Sequence, residues 1–258
     1  MILSKKELKK AFQLVGLKQG DYVIVHTSLS KLGYVIGGPQ TVIEALLETV
    51  GSEGTIMMPT QSWKNLSPEH GVHGDVPEEA WEKLKEYLPA YDKKITPTNT
   101  MGAVAEMFRN WPGTVRSDHP ARSFAANGSK AEYLIDNHDL SDIFGQSSPL
   151  GKLYELEGKV LLIGVGHDKN TSIHLADVLA DYPEKSNETV SSVVTVNGQR
   201  KWVEYTTLKV DGEDFVSIGK DFERTNSVMQ TSLNGAVITS MSQKALVDFS
   251  IEWMEKNR

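Results

Sequence analysis

The chain has 258 residues, 27 Lys and Arg, 34 Asp and Glu, a formal net charge of −7 and no Cys. That length lets a core form without staples, and the lack of Cys excludes disulfides, thiolate metal sites, iron–sulfur clusters and cysteine nucleophiles. The acidic balance argues against binding a nucleic-acid backbone as the main role, and no run of about 18 apolar residues could span a membrane.

The first segment, MILSKKELKKAFQLVGL, places Leu3, Leu8, Phe12, Leu14 and Val15 among Lys and Gln. That pattern reads as an amphipathic helix closed by Gly16 and Gly20, not as an export signal. YVIVH at Tyr22–His26 is a short β-branched apolar run suited to a buried strand. The Ser- and Gly-rich loop HTSLSKLGYVIGGPQ follows. A helix is expected over Thr41–Val50, with Val42, Ala45, Leu46 and Thr49 on one face. TIMMPT reads as a second strand. Strand, loop, helix and strand make a βαβ unit with a parallel pair.

Residues 61–98 form a polar excursion containing Trp63, Pro68, Pro77, Trp81 and Pro89, with a short helix predicted near Glu78–Tyr87. Between Glu69 and Asp92 it holds seven acids against two Lys. Long loops in compact domains are often functional, but a solvated insertion fits equally well. Met101–Arg109 reads as helix, RSDHPARSFAANG as loop then strand, Ala131–Asn137 as helix, and FGQSSPLGKLYELEG as a turn into another helix. KVLLIGVG is the clearest buried strand, followed by a helix from about Ser172 capped by Asn170 or Thr171. Residues 190–218 alternate in the β manner around Asn197-Gly198, a hairpin signal. Val228–Lys256 reads as helical segments broken at Asn234-Gly235, whose apolar positions (Ala245, Leu246, Phe249, Trp253) suit a core. The expected architecture is α/β. It is a single domain over 1–258, a mixed central sheet flanked by helices, with an antiparallel hairpin region near the C-terminal third.

Seven His are present: His26, His70, His73, His119, His138, His167 and His174. His26, His167 and His174 fall near strand ends, where ligands of open α/β sheets gather. In the first turn of its helix, His174 shares a face with Asp177 at i+3, and a carboxylate on one ring nitrogen leaves the other free as a base. Asp168 is a second possible orienter. A His that only packs at a helix start accounts for the same spacing. A metal reading of His167, Asp168, His174 and Asp177 matches no zinc signature. No G-x-S-x-G elbow is present, since Gly164-Val165-Gly166-His167 lacks Ser, although Ser28, Ser30, Ser62 and Ser123 lie in loops. Gly37-Gly38 before a helix start suits an anion, or an ordinary βα loop.

Three long blocks carry a resemblance to the aminoglycoside 3-N-acetyltransferase family. They are LKQGDYVIVHTSLSKLGYVIGGPQTVIEALLETVGSEGTIMMPT, YDKKITPTNTMGAVAEMFRNWPGTVRSDHPARSFAANG and FGQSSPLGKLYELEGKVLLIGVGHDKNTSIHLAD. The resemblance implies an acyltransferase of antibiotic-resistance type, in the cytoplasm. It moves an acetyl group from acetyl-CoA directly to an amine, with the 3-amino group of an aminoglycoside as acceptor and no metal. The implied partners are acetyl-CoA and a cationic small-molecule amine, with no nucleic acid and no membrane. The catalytic role falls on His174, with Asp177 standing where the family has Glu, one methylene longer, and Asp168 close by. Thr27, Ser28, Leu29, Ser30, Gly33 and Gly38 carry over as acetyl-CoA contacts, Gly37 and Lys31 suit its phosphates, and Thr171 lies near the active centre. Asp92 and Asp168 are the candidate contacts to the acceptor amine. The acidic excursion would steer a polycation, or be merely a solvated face. Two other readings stand beside this one: a hydrolase or metal-dependent enzyme built on His167, Asp168 and His174, and a catalytically weak CoA-binding homologue.

Overall fold

Parallel pairing of three apolar strands organises the computed structural model, which describes residues 2–258. An N-terminal strand β1 (Ile2–Leu3) precedes helix α1 (Lys5–Leu14), strand β2 (Tyr22–Thr27), the short β3 (Tyr34–Val35), helix α2 (Pro39–Val50) and β4 (Thr55–Pro59). Helices α3 (Trp81–Tyr87) and α4 (Gly102–Phe108), strands β5 (Val115–Arg116) and β6 (Phe124–Gly128), and helices α5 (Ala131–Ile135) and α6 (Pro149–Glu155) follow. Then come β7 (Lys159–Ile163), α7 (Ile173–Leu179), β8 (Asn187–Val196), β9 (Gln199–Leu208), α8 (Phe215–Thr225), β10 (Met229–Leu233), β11 (Ala236–Ser242) and α9 (Gln243–Asn257).

Strand β2 pairs in parallel with both β4 and β7, as the βαβ reading requires. Antiparallel additions at both edges complete a seven-stranded mixed sheet in the order β10-β11-β7-β2-β4-β6-β5. Side chains alternate across the central strands. Val23, Val25, Ile56, Met58, Leu161 and Ile163 face α1, α2 and α4. Ile24, Met57, Val160 and Leu162 face the second layer, α5 to α9. Both faces are covered, which is why these strands read as unbroken apolar runs. Phe12 and Phe108 in one layer and Phe222 in the other are almost wholly buried, each stabilising by roughly 2–3 kcal/mol. No helix among the described residues is long and apolar enough to cross a membrane.

Two of the Asn-Gly pairs make hairpins. At Asn197-Gly198 both residues have positive φ, 51° and 75°, the mirror turn that matches strand twist, and they join β8 to β9. Asn234-Gly235 repeats this with φ of 51° and 83° and joins β10 to β11, so the helical expectation from Val228 is corrected. The helix starts only at Gln243. Strand β11 sits between β10 and β7, covered on both sides, and shows no clean alternation. The β reading also ran too far. Strand β9 ends at Leu208, and Phe215, Ile218 and Phe222 recur at helical spacing along the buried face of α8. At α7 the N-cap is Ser172, without a side-chain cap bond; Asn170 Oδ1 instead accepts the Ser172 N–H at 3.3 Å.

The 61–98 excursion packs on the β8–β9 hairpin. Ser67 N–H donates to Ser191 O and Tyr91 N–H to Val193 O, each at 2.9 Å. Trp202 Nε1 donates to Lys85 O at 2.9 Å. The buried Arg116 guanidinium ties the excursion to the sheet, donating to Thr96 O and Thr60 O at 2.6 Å and to Ser123 Oγ at 3.1 Å. Acids of the excursion are partly spent internally: Glu69 and Glu82 pair with Lys85, and Asp75 with Lys64. Hydrogen bonds from Lys85 and Ser67 hold the Glu69 carboxyl down at about 2.

Candidate active site

Because β2, β4 and β7 run parallel, their carboxyl ends open to one side and the loops that leave them converge. They enclose a cleft of about 880 Å³. Thr27, Ser28, Leu29, Ser30 and Gly33 bound it after β2, Gln61 and Trp63 after β4, and Asp168, Thr171 and His174 after β7. Val25, Met58, Met101 and Ala105 supply apolar walls.

His174 sits in the first turn of α7 with Nδ1 2.8 Å from Asp177 Oδ2. A carboxylate only accepts, so the ring proton resides on Nδ1. In the neutral ring the other nitrogen, Nε2, carries the lone pair, and it has no hydrogen-bond partner among the described residues. The ring is held flat against Phe144, at 4.8 Å and 6°, and meets the edge of Phe215 at 4.7 Å. Only 18% of the His174 side chain is exposed. Asp177 is buried behind it, and its second oxygen takes Arg258 Nη1 at 2.5 Å. Arg258 in turn grips Asp214 through Nε and Nη2, both at 2.7 Å. The short Asp177 side chain therefore reaches the imidazole and is itself paired on both oxygens.

His26, next to last in β2, lies on the cleft wall, where burial pushes its imidazole down to about 3 and keeps it neutral. Its Nε2 is buried without a partner, as are Thr27 Oγ1 and Trp63 Nε1, all on residues that bound the cleft. Such orphaned groups are uncommon in protein interiors and fit a cleft built to receive a polar ligand. Asp168 is 51% exposed on the rim and pairs loosely with Lys169 at 3.3 Å.

His167 turns away from this cleft. Asn170 Nδ2 donates to its Nδ1 at 3.3 Å, and its Nε2 meets Glu223 Oε1 at 3.1 Å beneath α8. It borders a separate cavity of about 470 Å³ with Lys31 and Glu223. The grouping of His167, Asp168 and His174 on which the hydrolase or metal reading depends is thus not made, because one loop sends neighbouring side chains to opposite sides. No cluster of three or more His, Cys, Asp or Glu suited to a metal occurs among the described residues. His119 and His138 meet in the interior with ring centroids 4.8 Å apart and tilted by 46°, both held below the ordinary imidazole range by burial, His138 at about 4. His70 and His73 bond to the backbone of Ser191 and Leu66.

A family model described as aminoglycoside 3-N-acetyltransferase matches residues 24–255. The chain belongs to the aminoglycoside 3-N-acetyltransferase family. It is 38% identical over 255 residues to the SPbeta prophage-derived aminoglycoside N(3')-acetyltransferase-like protein YokD of Bacillus subtilis (strain 168), covering 98% of this chain and 93% of that one. The crystal structure of YokD superposes with a TM-score of 0.96 at 37% identity, covering 100% of this chain and 95% of that one. Aminoglycoside N(3)-acetyltransferase IX of Micromonospora chalcea is 34% identical over 98% of this chain and 94% of its own. AAC-IIIb in a binary complex with CoASH superposes with a TM-score of 0.88 at 29% identity, over 99% of this chain and 97% of that one. The family is one of acyltransferases.

Of the acetyltransferase residues expected from the sequence, the cleft gathers Thr27, Ser28, Leu29, Ser30, Gly33, Asp168, Thr171 and His174, with Asp177 behind His174. Three cofactor candidates lie elsewhere. Lys31 borders the second cavity. Gly37 and Gly38, with φ of 78° and 58°, shape the turn into α2 and do not bound the cleft. Asp92 is also outside it: it is exposed, and its Oδ1 accepts the Lys94 N–H at 2.8 Å, capping its own turn. Phe144, Phe215, Trp63 and Arg258 were not singled out for the site. Phe215 fell in a stretch read as β-structure, and Arg258 is 81 residues from Asp177, a pairing with no local signal.

Proposed function

We propose that this chain transfers an acetyl group from acetyl-CoA to an amine of an aminoglycoside, with His174 as general base. The observation that carries this reading is the His174–Asp177 pair at the cleft, with Nε2 unpartnered. An alkylamine is mostly protonated near neutrality and cannot attack until it loses a proton. His174 Nε2 is the acceptor for that proton, and Asp177 holds the tautomer that makes it one. Acetyl-CoA supplies an activated thioester. That first proton leaves to solvent; the free amine nitrogen then bonds to the carbonyl carbon, His174 Nε2 takes the second proton from it, the C–S bond breaks, and that second proton goes to the departing sulfur, leaving an amide, CoASH and one released proton.

Thr27, Ser28, Ser30 and Gly33 are the groups we assign to the acetyl donor, on polar atoms and bare backbone facing a partly apolar cleft. Asp168, half-exposed on the rim, is assigned to a second ammonium of the acceptor. The CoASH complex of AAC-IIIb and the aminoglycoside acceptors in the relatives' names support both substrates. In this reading the whole chain acts as one catalytic domain, and the use of acetyl-CoA places it in the cytoplasm.

The test is thiol release from acetyl-CoA against a panel of aminoglycosides and simple alkylamines, with His174→Ala alongside. Expected are aminoglycoside-dependent thiol release and a loss of about 10²–10⁴-fold in His174→Ala, with acetyl-CoA still raising the variant's Tm. No release with any amine, despite thermal stabilisation by acetyl-CoA, would mark a binding homologue. Undiminished turnover in the variant would remove His174 from the mechanism.

A further inference from the structure

The imidazole–carboxylate pair does not stand alone. Asp177 is fully buried, and a carboxylate withdrawn from water is stable only when its oxygens are hydrogen-bonded and its charge is matched. His174 supplies one donor and, in the neutral form a general base must have, no charge. The second donor and the matching charge both come from Arg258 at 2.5 Å. The remaining edge of that guanidinium is fixed by Asp214 in a two-bond fork at 2.7 Å, and its Cζ lies 5.0 Å from the Tyr182 ring centroid. Hydrogen bonds and charge from both acids outweigh burial and raise the Arg258 pKa, so the cation is permanent. Three separate segments thus converge behind the cleft in the series His174–Asp177–Arg258–Asp214.

We infer that Arg258 is a positioning residue for the general base: it holds Asp177 ionised and correctly aimed, and by neutralising that charge keeps His174 Nε2 free to take a proton. The inference rests on the acetyl-transfer reading above for its catalytic meaning, but the electrostatic coupling can be measured without it. The surroundings leave Arg258 as the main lever. Phe144 and Phe215 contact the His174 ring and carry no charge. Asp168 and Lys169 on the cleft wall pair with each other. Arg122 lies on the Phe144 ring, 6.0 Å from its centroid. If Arg258 is removed, the buried Asp177 charge is matched only when His174 is protonated, so imidazolium is favoured and the base is occupied over more of the pH range.

The experiment follows the His174 ring by NMR through a pH titration of the full chain, assigned with His174→Asn, in wild type, Arg258→Met and Arg258→Lys. Thiol-release rates are recorded over the same range. In Arg258→Met the titration midpoint and the acid limb of the rate should both move up by about one pH unit or more. On the acid side of the limb the rate falls about tenfold per unit of that shift, while KM for acetyl-CoA stays within about twofold because Arg258 lies behind Asp177. Arg258→Lys keeps the charge and should restore most of the midpoint. A residue that merely fastens α9 would lower Tm and leave the midpoint where it was, and that result overturns the inference. Should Arg258→Met not fold, Asp214→Asn carries the test with opposite sign. It frees the Arg258 charge for Asp177, and the midpoint must fall; an unmoved midpoint again refutes the coupling. A shifted midpoint in a chain whose wild type transfers no acetyl group would sink the acetyl-transfer reading and Arg258's catalytic part with it.

Discussion

Replacing Asp177 with Asn removes one negative charge and almost no volume, yet the surroundings dictate a large effect. The amide has one accepting oxygen and one donating nitrogen. Arg258 Nη1 can only donate, so the oxygen must stay on its side, where Oδ1 now sits at 2.5 Å. The amide nitrogen is then turned to His174 Nδ1, now 2.8 Å from a carboxylate oxygen. Two donors cannot face each other, so the imidazole shifts its proton to Nε2 and presents the cleft with a donor where the reaction needs an acceptor. The wrong tautomer is expected to lower the single-turnover rate of acetyl transfer by about 10²–10⁴-fold. Arg258 keeps Asp214, so the stability loss should be only about 1–3 kcal/mol, a fall in Tm of roughly 2–12 °C. Thiol release under single-turnover conditions, with Tm recorded in parallel, checks both numbers. A folded Asp177→Asn chain working within about threefold of wild type would refute the assignment of Asp177 to the tautomer.

Acid should destabilise the fold well above the carboxylate range. Burial holds His26 at about 3, His138 at about 4 and His119 well below 6.5. Unfolded, each takes up a proton near pH 6.5 while the native chain does not, so stability present above that pH is lost as pH falls. Between pH 7 and 5 each should cost about 2 kcal/mol. Denaturant titrations over this range should show it, with the slope reduced by about one proton in His138→Asn; a flat profile contradicts neutral burial. Arg116→Met takes the guanidinium donor from the Thr96 carbonyl, at about 1–3 kcal/mol, and leaves the Thr60 carbonyl with the Ser123 hydroxyl alone. Hydrogen exchange should then rise in residues 88–98 before the central sheet opens, and uniform protection would show that Arg116 does not tether the excursion. In Gly219→Ala the new methyl would lie 2.0 Å from His167 Cγ, which overpacks the contact of α8 with the loop after β7. A loss of roughly 1–3 kcal/mol is expected by chemical denaturation, and an unchanged midpoint would mean that α8 can slide.

Local patterns were legible where one layer of context sufficed. The runs at Val23–Val25 and Val160–Ile163 declared buried strands because both faces of the parallel sheet are covered. Asn197-Gly198 declared a hairpin because the mirror turn demands two positive φ angles. The same chemistry at Asn234-Gly235 reads only as a break between helical segments because β11, enclosed between two strands, lacks the alternation that marks a half-exposed strand. The i, i+3 spacing of His174 and Asp177 on α7 was readable from helical geometry, and so was the Ser-rich loop after β2.

What the linear order could not contain is every contact made by chain closure over long separations. Which nitrogen of His174 faces the cleft depends on Phe144, Phe215 and Asp177 together, and the charge on Asp177 depends on Arg258 and Asp214 from other segments. His167 and His174 look equivalent along the chain, both just beyond the same strand, and only packing against α8 sends the first to Glu223. Hydrophobic period and turn chemistry are short-range properties that a sequence displays directly. The pairing of buried charges is set by where distant segments meet, and that is decided by the three-dimensional core.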